Sequence, residues 1–205
     1  MRVAILGGTG SFGRALAARL AAAGEDEVVI GSRDAERAQA AAAELGAEGA
    51  TNSDAVRGAD LAVLAVKAEA ALATAEEIVD ALGETPLLSV ASALSFAKDG
   101  VRPDPDARSI AERVADRVHG PVVAGLHTLA AANLGKAPPQ EDALVCGDDA
   151  RAKELALELA SRAVDGRAVD AGPLASARAL EGLTAVIVNL NRRYKIHAGV
   201  RVTGL

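Results

Sequence analysis

Residues 2–13 read Arg2-Val3-Ala4-Ile5-Leu6-Gly7-Gly8-Thr9-Gly10-Ser11-Phe12-Gly13. A short apolar run leads straight into glycines, the pattern of a buried parallel strand that feeds a helix. Gly8, Gly10 and Gly13, with Thr9, Ser11 and Phe12 between them, match G-x-G-x-x-G. In that pattern the first glycine allows the tight turn, the second lets the backbone approach a pyrophosphate, and the third lets helix and strand pack closely. The unpaired amides of the helix N-terminus then face the anion. A purely structural glycine turn is the competing reading, and the position of the motif between strand and helix favours the dinucleotide site.

Working outward, Val28-Val29-Ile30-Gly31 reads as a second strand and Asp34 as the N-cap of an alanine-rich helix to about Leu45. A polar turn of helix is expected near Ser53, a third strand at Asp60–Val66, and further strands at Pro86–Ala91 and Pro121–Leu126, with helices between them. This rhythm predicts an α/β fold, a Rossmann-type doubly wound parallel sheet with a small C-terminal α/β domain. Lys98–Asp106, with two prolines, reads as an exposed loop. The paired prolines between Gly135 and Asp142 set the expected boundary: an NADP-binding domain over 1–135 and the small domain over 136–205. The latter would hold strands around Val145 and Val169, a helix from Ala150 to Ala163, and a long helix from about Leu174 to Tyr194. Leu180, Leu183, Ile187 and Leu190 form an apolar stripe on that helix, which would close the small domain or pair with a second subunit.

The net charge of −6 speaks against a nucleic-acid binder, which needs clustered positive surface. Half the residues are apolar, enough for a buried core. No apolar run approaches the roughly 20 residues that span a bilayer. The first residues read as a strand followed by glycines, not as a signal segment, so the cytoplasm is the expected location. Cys146, alone, reads as an inert core thiol. Phe12, Phe96 and Tyr194 are the only aromatics. Flat cofactor rings would therefore be covered by aliphatic walls or by each other.

The tip of the second strand decides between NAD and NADP. Gly31-Ser32-Arg33 has no carboxylate where an NAD site places its ribose acid. Ser32 can donate to a 2′-phosphate, Arg33 can pair with it and stack on adenine, and Arg37 lies one helical turn on. NADP is the expected ligand; the competing view makes both arginines solvated surface charges. Acid–base equipment is sparse. There is no Ser-Tyr-x-x-x-Lys motif and no metal-spaced cluster. His119 reads as exposed and His197 as a surface residue of the tail, but His127 sits at the C-terminal end of a strand, the edge where open α/β sheets bind ligands. A dinucleotide site with little acid–base equipment fits a reaction whose two reactants are both cofactors.

On these residues the chain resembles the F420-dependent NADP oxidoreductases. The likeness is carried by 1–10, by Val29-Ile30-Gly31-Ser32-Arg33, and by Leu126-His127-Thr128-Leu129-Ala130-Ala131. Val145-Cys146-Gly147-Asp148-Asp149, Val169-Asp170-Ala171-Gly172-Pro173-Leu174 and Leu183-Thr184 extend it over nearly the whole chain. It implies NADP and coenzyme F420 as two anionic co-substrates and direct hydride transfer between stacked rings. Thr9, Ser32, Arg33 and Arg37 would hold phosphates. His127, Thr128, Leu129 and Ala130 would line the ring junction, with Leu129 setting the separation of the rings. The deazaflavin would lie between the two domains against the last helix, and a homodimer or higher homo-oligomer is implied. The family often places a proline and an aromatic after the strand that ends at Val66; here stand Lys67 and Ala68. Lys67 would then meet a phosphate or the incoming anionic cofactor, unless it is a plain surface lysine. Arg192, Arg193, Lys195 and Arg201 are candidates for the deazaflavin's anionic tail, unless they only complement the helix C-terminus. Two competing functions stay open: an NADPH-dependent reductase of a small imine or metal chelate, and a non-catalytic NADP sensor.

Overall fold

The computed structural model describes all 205 residues, Met1–Leu205. Strand β1 (Arg2–Leu6) alternates its side chains between two buried layers. Val3 and Ile5 pack into one core with helices α1 (Ser11–Ala23), α2 (Ala35–Ala43) and α7 (Ala150–Ala163). Ala4 and Leu6 pack into the other with α4 (Ala68–Leu82), α5 (Ile110–Ala115) and α8 (Ala177–Tyr194). A strand covered on both faces has no polar side to show, which is why its sequence is continuously apolar.

The remaining strands are β2 (Glu27–Ser32), β3 (Glu48–Thr51), β4 (Leu61–Leu64), β5 (Leu87–Ser89), β8 (Val122–Gly125), β9 (Ala143–Gly147) and β10 (Ala168–Asp170). With β1 they form one sheet in the order β10-β9-β8-β5-β4-β1-β2-β3. From β3 to β8 every pairing is parallel, the order of a dinucleotide-binding sheet. β9 then enters antiparallel to β8, and β10 runs parallel to β9. The sheet is thus continuous across residue 135, and the segment expected as a separate small unit extends the same hydrogen-bonded layer. Reversal gives β9 a particular use: its first residues lie at the edge where the parallel strands end.

Three local features differ from the sequence reading. β3 is an additional edge strand ahead of the polar turn α3 (Asn52–Ala55). Part of the expected 98–106 loop, 100–103, is the second strand of an antiparallel hairpin, β6 (Leu94–Ala97) with β7 (Gly100–Pro103). Leu174–Ser176 forms a 3-10 turn, and α8 itself begins at Ala177. The final short helix, α6 (Ala131–Leu134), follows the end of β8 and packs beside α1.

Two buried carboxylates tie distant parts together. Asp26 accepts from the Met1 amine at 3.3 Å and from Arg162 of α7 at 2.6 Å. Asp142, at the head of β9, pairs with Arg167 at 2.7 Å and accepts from the Val202 amide at 2.8 Å. The Arg167 hydrogen bonds hold its carboxyl well below the usual range. No helix is long and apolar enough to cross a membrane.

Candidate functional site

The row Gly31–Leu6–Leu64–Ser89–Ala124 runs across β2, β1, β4, β5 and β8. Every chain segment leaving that row on its C-terminal side emerges on one edge of the sheet. The glycine loop after β1 and His127 after β8 are three strand spacings apart, roughly 14 Å. A cleft of about 980 Å³ opens along the edge, lined among others by Gly7, Thr9, Gly10, Ser11, Phe12, Ser32, Arg33, Arg37, Val66 and Lys67.

The glycine loop is built by contact. Gly7 holds φ +76°, so the turn itself falls to it and not to Gly8. A Cβ on Gly8 would stand 2.8 Å from the Ile30 side chain, and one on Gly13 only 2.6 Å from the Gly7 carbonyl oxygen. Those two glycines therefore let α1 and β2 close on the loop, while exposed Gly10 leaves open backbone beside the cleft. α1 has no side-chain N-cap, and its first intrahelical bond runs from Arg14 N–H to Gly10 O at 2.9 Å. The amides of Ser11, Phe12 and Gly13 thus lack helical partners, as an anion site requires.

At the β2 end, Ser32 is buried and its hydroxyl accepts from the Asp34 amide at 3.3 Å. Asp34 in turn caps α2 by accepting from Arg37 N–H at 3.2 Å. That capping turn sets the spacing of Arg33 and Arg37, both exposed, both on the cleft, and neither paired with a carboxylate within 4.0 Å. Most of the other cations of this acidic chain are paired, so two free guanidinium groups side by side form a local positive patch. Asn52, which the sequence reading passed over, also lines the cleft; it is buried and its Oδ1 has no partner. Its signal was obscured because β3, which delivers it, was not foreseen.

On β4's side, Val66 and Lys67 form part of the wall. Lys67 is highly exposed and 3.9 Å from Glu69. Such a contact is worth little in water, leaving the ammonium free for another anion.

The other end is built differently. β8 is followed by Leu126, which is fully buried yet holds φ +62°. The left-handed conformation costs a non-glycine residue roughly 1–2 kcal/mol, and three bonds hold the turn. Leu126 N–H donates to Leu144 O at 3.1 Å, Leu129 N–H donates to Leu126 O at 3.1 Å, and the Thr184 hydroxyl of α8 donates to His127 O at 2.9 Å. His127 and Thr128 are buried, and neither His127 ring nitrogen nor the Thr128 hydroxyl has a hydrogen-bond partner at normal geometry. Burial pushes the His127 pKa down to about 4, only partly offset by the nearby Ala91 backbone, so the imidazole is neutral at pH 7. Leu129 is buried with Leu126 and Leu134 in the core, while Ala130 is half-buried at the head of α6. Unsatisfied buried polar atoms are costly and uncommon, and three of them lie together in this turn.

A second recess, about 460 Å³, opens where α6 and the head of β9 meet the C-terminal residues. Lys136, His197 and Arg201 line it, with Asn133 and the buried Glu141 at its floor. Burial raises the Glu141 pKa, and its Oε2 has no partner. Arg192 and Arg193 lie over the rings of Phe96 and Tyr194 at 5.4 and 6.0 Å, unpaired with carboxylates. Cys146 is buried, and burial raises its thiol to about 11, which leaves it an unreactive core residue.

These features suit a dinucleotide whose pyrophosphate lies on the glycine loop and whose two ends run toward Arg33 and His127. Residues 2–93 match the family model described as NADP oxidoreductase, coenzyme F420-dependent. The chain is 39% identical to the F420-dependent NADP reductase of Methanothermobacter thermautotrophicus, over 100% of this chain and 96% of that protein. It is 34% identical to the enzyme of the same name from Methanocaldococcus jannaschii, over 100% and 99%. A crystal structure of a putative F420-dependent NADP reductase from Arthrobacter sp. FB24 superimposes with a TM-score of 0.83, at 26% identity, over 99% of both chains.

Proposed function

The chain belongs to the F420-dependent NADP reductase family, and from that premise we propose how its residues carry the family's reaction. It is an oxidoreductase that moves hydride reversibly between NADP(H) and the deazaflavin coenzyme F420: reduced F420 and NADP⁺ give oxidised F420 and NADPH, with one proton released. The observation that carries the assignment of residues is the contrast along one sheet edge between a cationic end and a buried, almost aprotic end.

The loop amides of Gly10 to Gly13 and the Thr9 side chain bind the pyrophosphate. Ser32, Arg33 and Arg37 hold the 2′-phosphate and favour NADPH over NADH, which has no phosphate for them to bind. Val66 and Lys67 bound the nicotinamide end. His127, Thr128 and Ala130 line the ring junction, and buried Leu129 sets the floor beneath it. A neutral His127 suits both partners there, since it adds no positive charge beside an oxidised nicotinamide and can donate or accept one hydrogen bond. The chemistry itself is the cofactors'; the protein holds the rings in register and keeps water out.

Residues 136–205 supply the other wall of the deazaflavin cleft, with α8 and the recess of Lys136, His197 and Arg201 receiving the anionic tail. Val186, Leu190 and Tyr194 are exposed at successive turns of α8, a stripe that supports pairing of two copies. The cytoplasm is the proposed location.

The test is an absorbance assay with purified protein, NADPH and oxidised F420, with NADH as control. Loss of the deazaflavin's visible band with NADPH and not with NADH is the expected result. Tight NADPH binding without bleaching would move the assignment to a small-imine reductase or an NADP sensor.

A further inference from the structure

Three side chains of α8 reach out of the helix to hold other elements. Glu181 accepts from the Ile110 amide at 2.7 Å, at the start of α5. Asn189 both donates to and accepts from the Val101 backbone, at 2.7 and 2.8 Å, fixing the hairpin. Thr184, between them, donates to His127 O at 2.9 Å and lies 3.0 Å from the Ser92 hydroxyl.

Proton counting orders this last pair. A hydroxyl has a single proton, and backbone carbonyls only accept. Thr184 gives its proton to His127 O, so the proton between the two hydroxyls belongs to Ser92. Ser92 Oγ then has nothing left but lone pairs. Ser92 is half-buried and follows β5, the strand between β4, which leads to Val66 and Lys67, and β8, which leads to His127. It therefore stands at the nicotinamide end of the edge as an acceptor that cannot become a donor while Thr184 is in place.

We propose that Ser92 and Thr184 form a one-way hydroxyl relay: Thr184 positions the strained Leu126–Leu129 turn, and Ser92 offers an acceptor-only contact that selects the N–H group of the nicotinamide carboxamide. The inference rests on the reading that NADP lies with its nicotinamide at this end. A ring bearing a carboxamide satisfies Ser92; one bearing a ketone presents a second acceptor and leaves two lone pairs facing each other. Thr184 touches no ligand in this scheme and acts through the His127 carbonyl and through Ser92.

Equilibrium dissociation constants for NADPH and for its 3-acetylpyridine analogue, which has a methyl ketone in place of the carboxamide, test it without any second substrate. The wild-type protein is expected to prefer NADPH about tenfold or more, the size of one well-made hydrogen bond. Ser92→Ala brings the ratio to within about twofold. Thr184→Val lowers the same ratio by freeing the Ser92 proton, and Thr184→Ser, which keeps the hydroxyl, restores it; a purely structural role for Thr184 would weaken both ligands alike. Arg33→Ala serves as the control that weakens both ligands equally. Tight NADPH binding with an unchanged ratio in Ser92→Ala and Thr184→Val overturns the relay alone. Failure of the wild-type protein to bind either ligand overturns the nucleotide reading and the relay with it.

Discussion

In the proposed reading, the two ends of the sheet edge hold one ligand by opposite means. At the β2 end, Ser32, Arg33 and Arg37 lie within six residues of one another, and a single capped turn of α2 places them; the cations are exposed and carry their charge in water. At the β8 end, His127 and Thr128 are buried, and their geometry depends on β9, on α8 and on a left-handed Leu126. On that reading one end would recognise by charge and tolerate local motion, and the other would recognise by shape and unsatisfied polarity and tolerate very little.

The loop between the ends is where that contrast breaks most completely. Gly13→Val forces a side chain to within 2.6 Å of the Gly7 carbonyl and separates α1 from β1. A loss of about 3–4 kcal/mol is expected, with NADPH binding abolished, read by thermal unfolding and fluorescence titration. Next comes the buried end. His127 has a folded-state pKa of about 4 against 6.5 when unfolded, so the unfolded chain binds more protons between those values. Its contribution is fully present above pH 6.5 and is lost as pH falls toward 4, by about 3 kcal/mol at most. His127→Gln should remove that slope from denaturant titrations across pH 4–6.5.

At the exposed end, Arg33→Ala is expected to weaken NADPH by about 1.5–3 kcal/mol while leaving NADH nearly unchanged, which kinetic comparison of the two coenzymes would read. Salt should imitate the mutation at this end and not at the other. The smallest effect concerns Glu181, whose buried carboxyl is pushed up to about 7 by desolvation. Its stabilising contribution is complete below pH 4.5 and declines as pH rises through 7, opposite in sign to that of His127. Glu181→Gln keeps an acceptor for Ile110 and should raise stability at pH 8 by about 1 kcal/mol, flattening the pH profile above 5. A protein whose profile is unmoved by both substitutions would show that the buried end is not electrostatically distinct.

The same contrast explains what could be read from sequence. The glycine loop and Ser32-Arg33-Arg37 were legible because the spacing that matters is local. β3 was missed because Glu48-Gly49-Ala50-Thr51 has a single β-branched residue, at its end, and no large apolar side chain; Gly49 is there because α2 crosses so closely that a Cβ would meet Ala38 at 2.5 Å. In the hairpin, the turn between Leu94–Ala97 and Gly100–Pro103 is Lys98-Asp99, and Asp99-Gly100 at its end was an available turn signal, outweighed by the prolines. The turn role of Gly7 was assigned to its neighbour because the motif fixes spacing and not dihedral angles. Ser92 and Thr184 carry no local signal at all: they are 92 positions apart, and only the closing of α8 over the sheet edge brings the hydroxyls to 3.0 Å.

Leu126 also bears on how such a chain can change over generations. Glycine would relieve the left-handed backbone, by roughly 1–2 kcal/mol. Yet the leucine side chain anchors the turn in the core, and a glycine there would free the two residues that follow to wander. Loss of the fully buried side chain would cost about 2–5 kcal/mol, more than the backbone relief returns, so selection for stability and for a fixed His127 alike should retain a bulky residue in a conformation that suits it poorly.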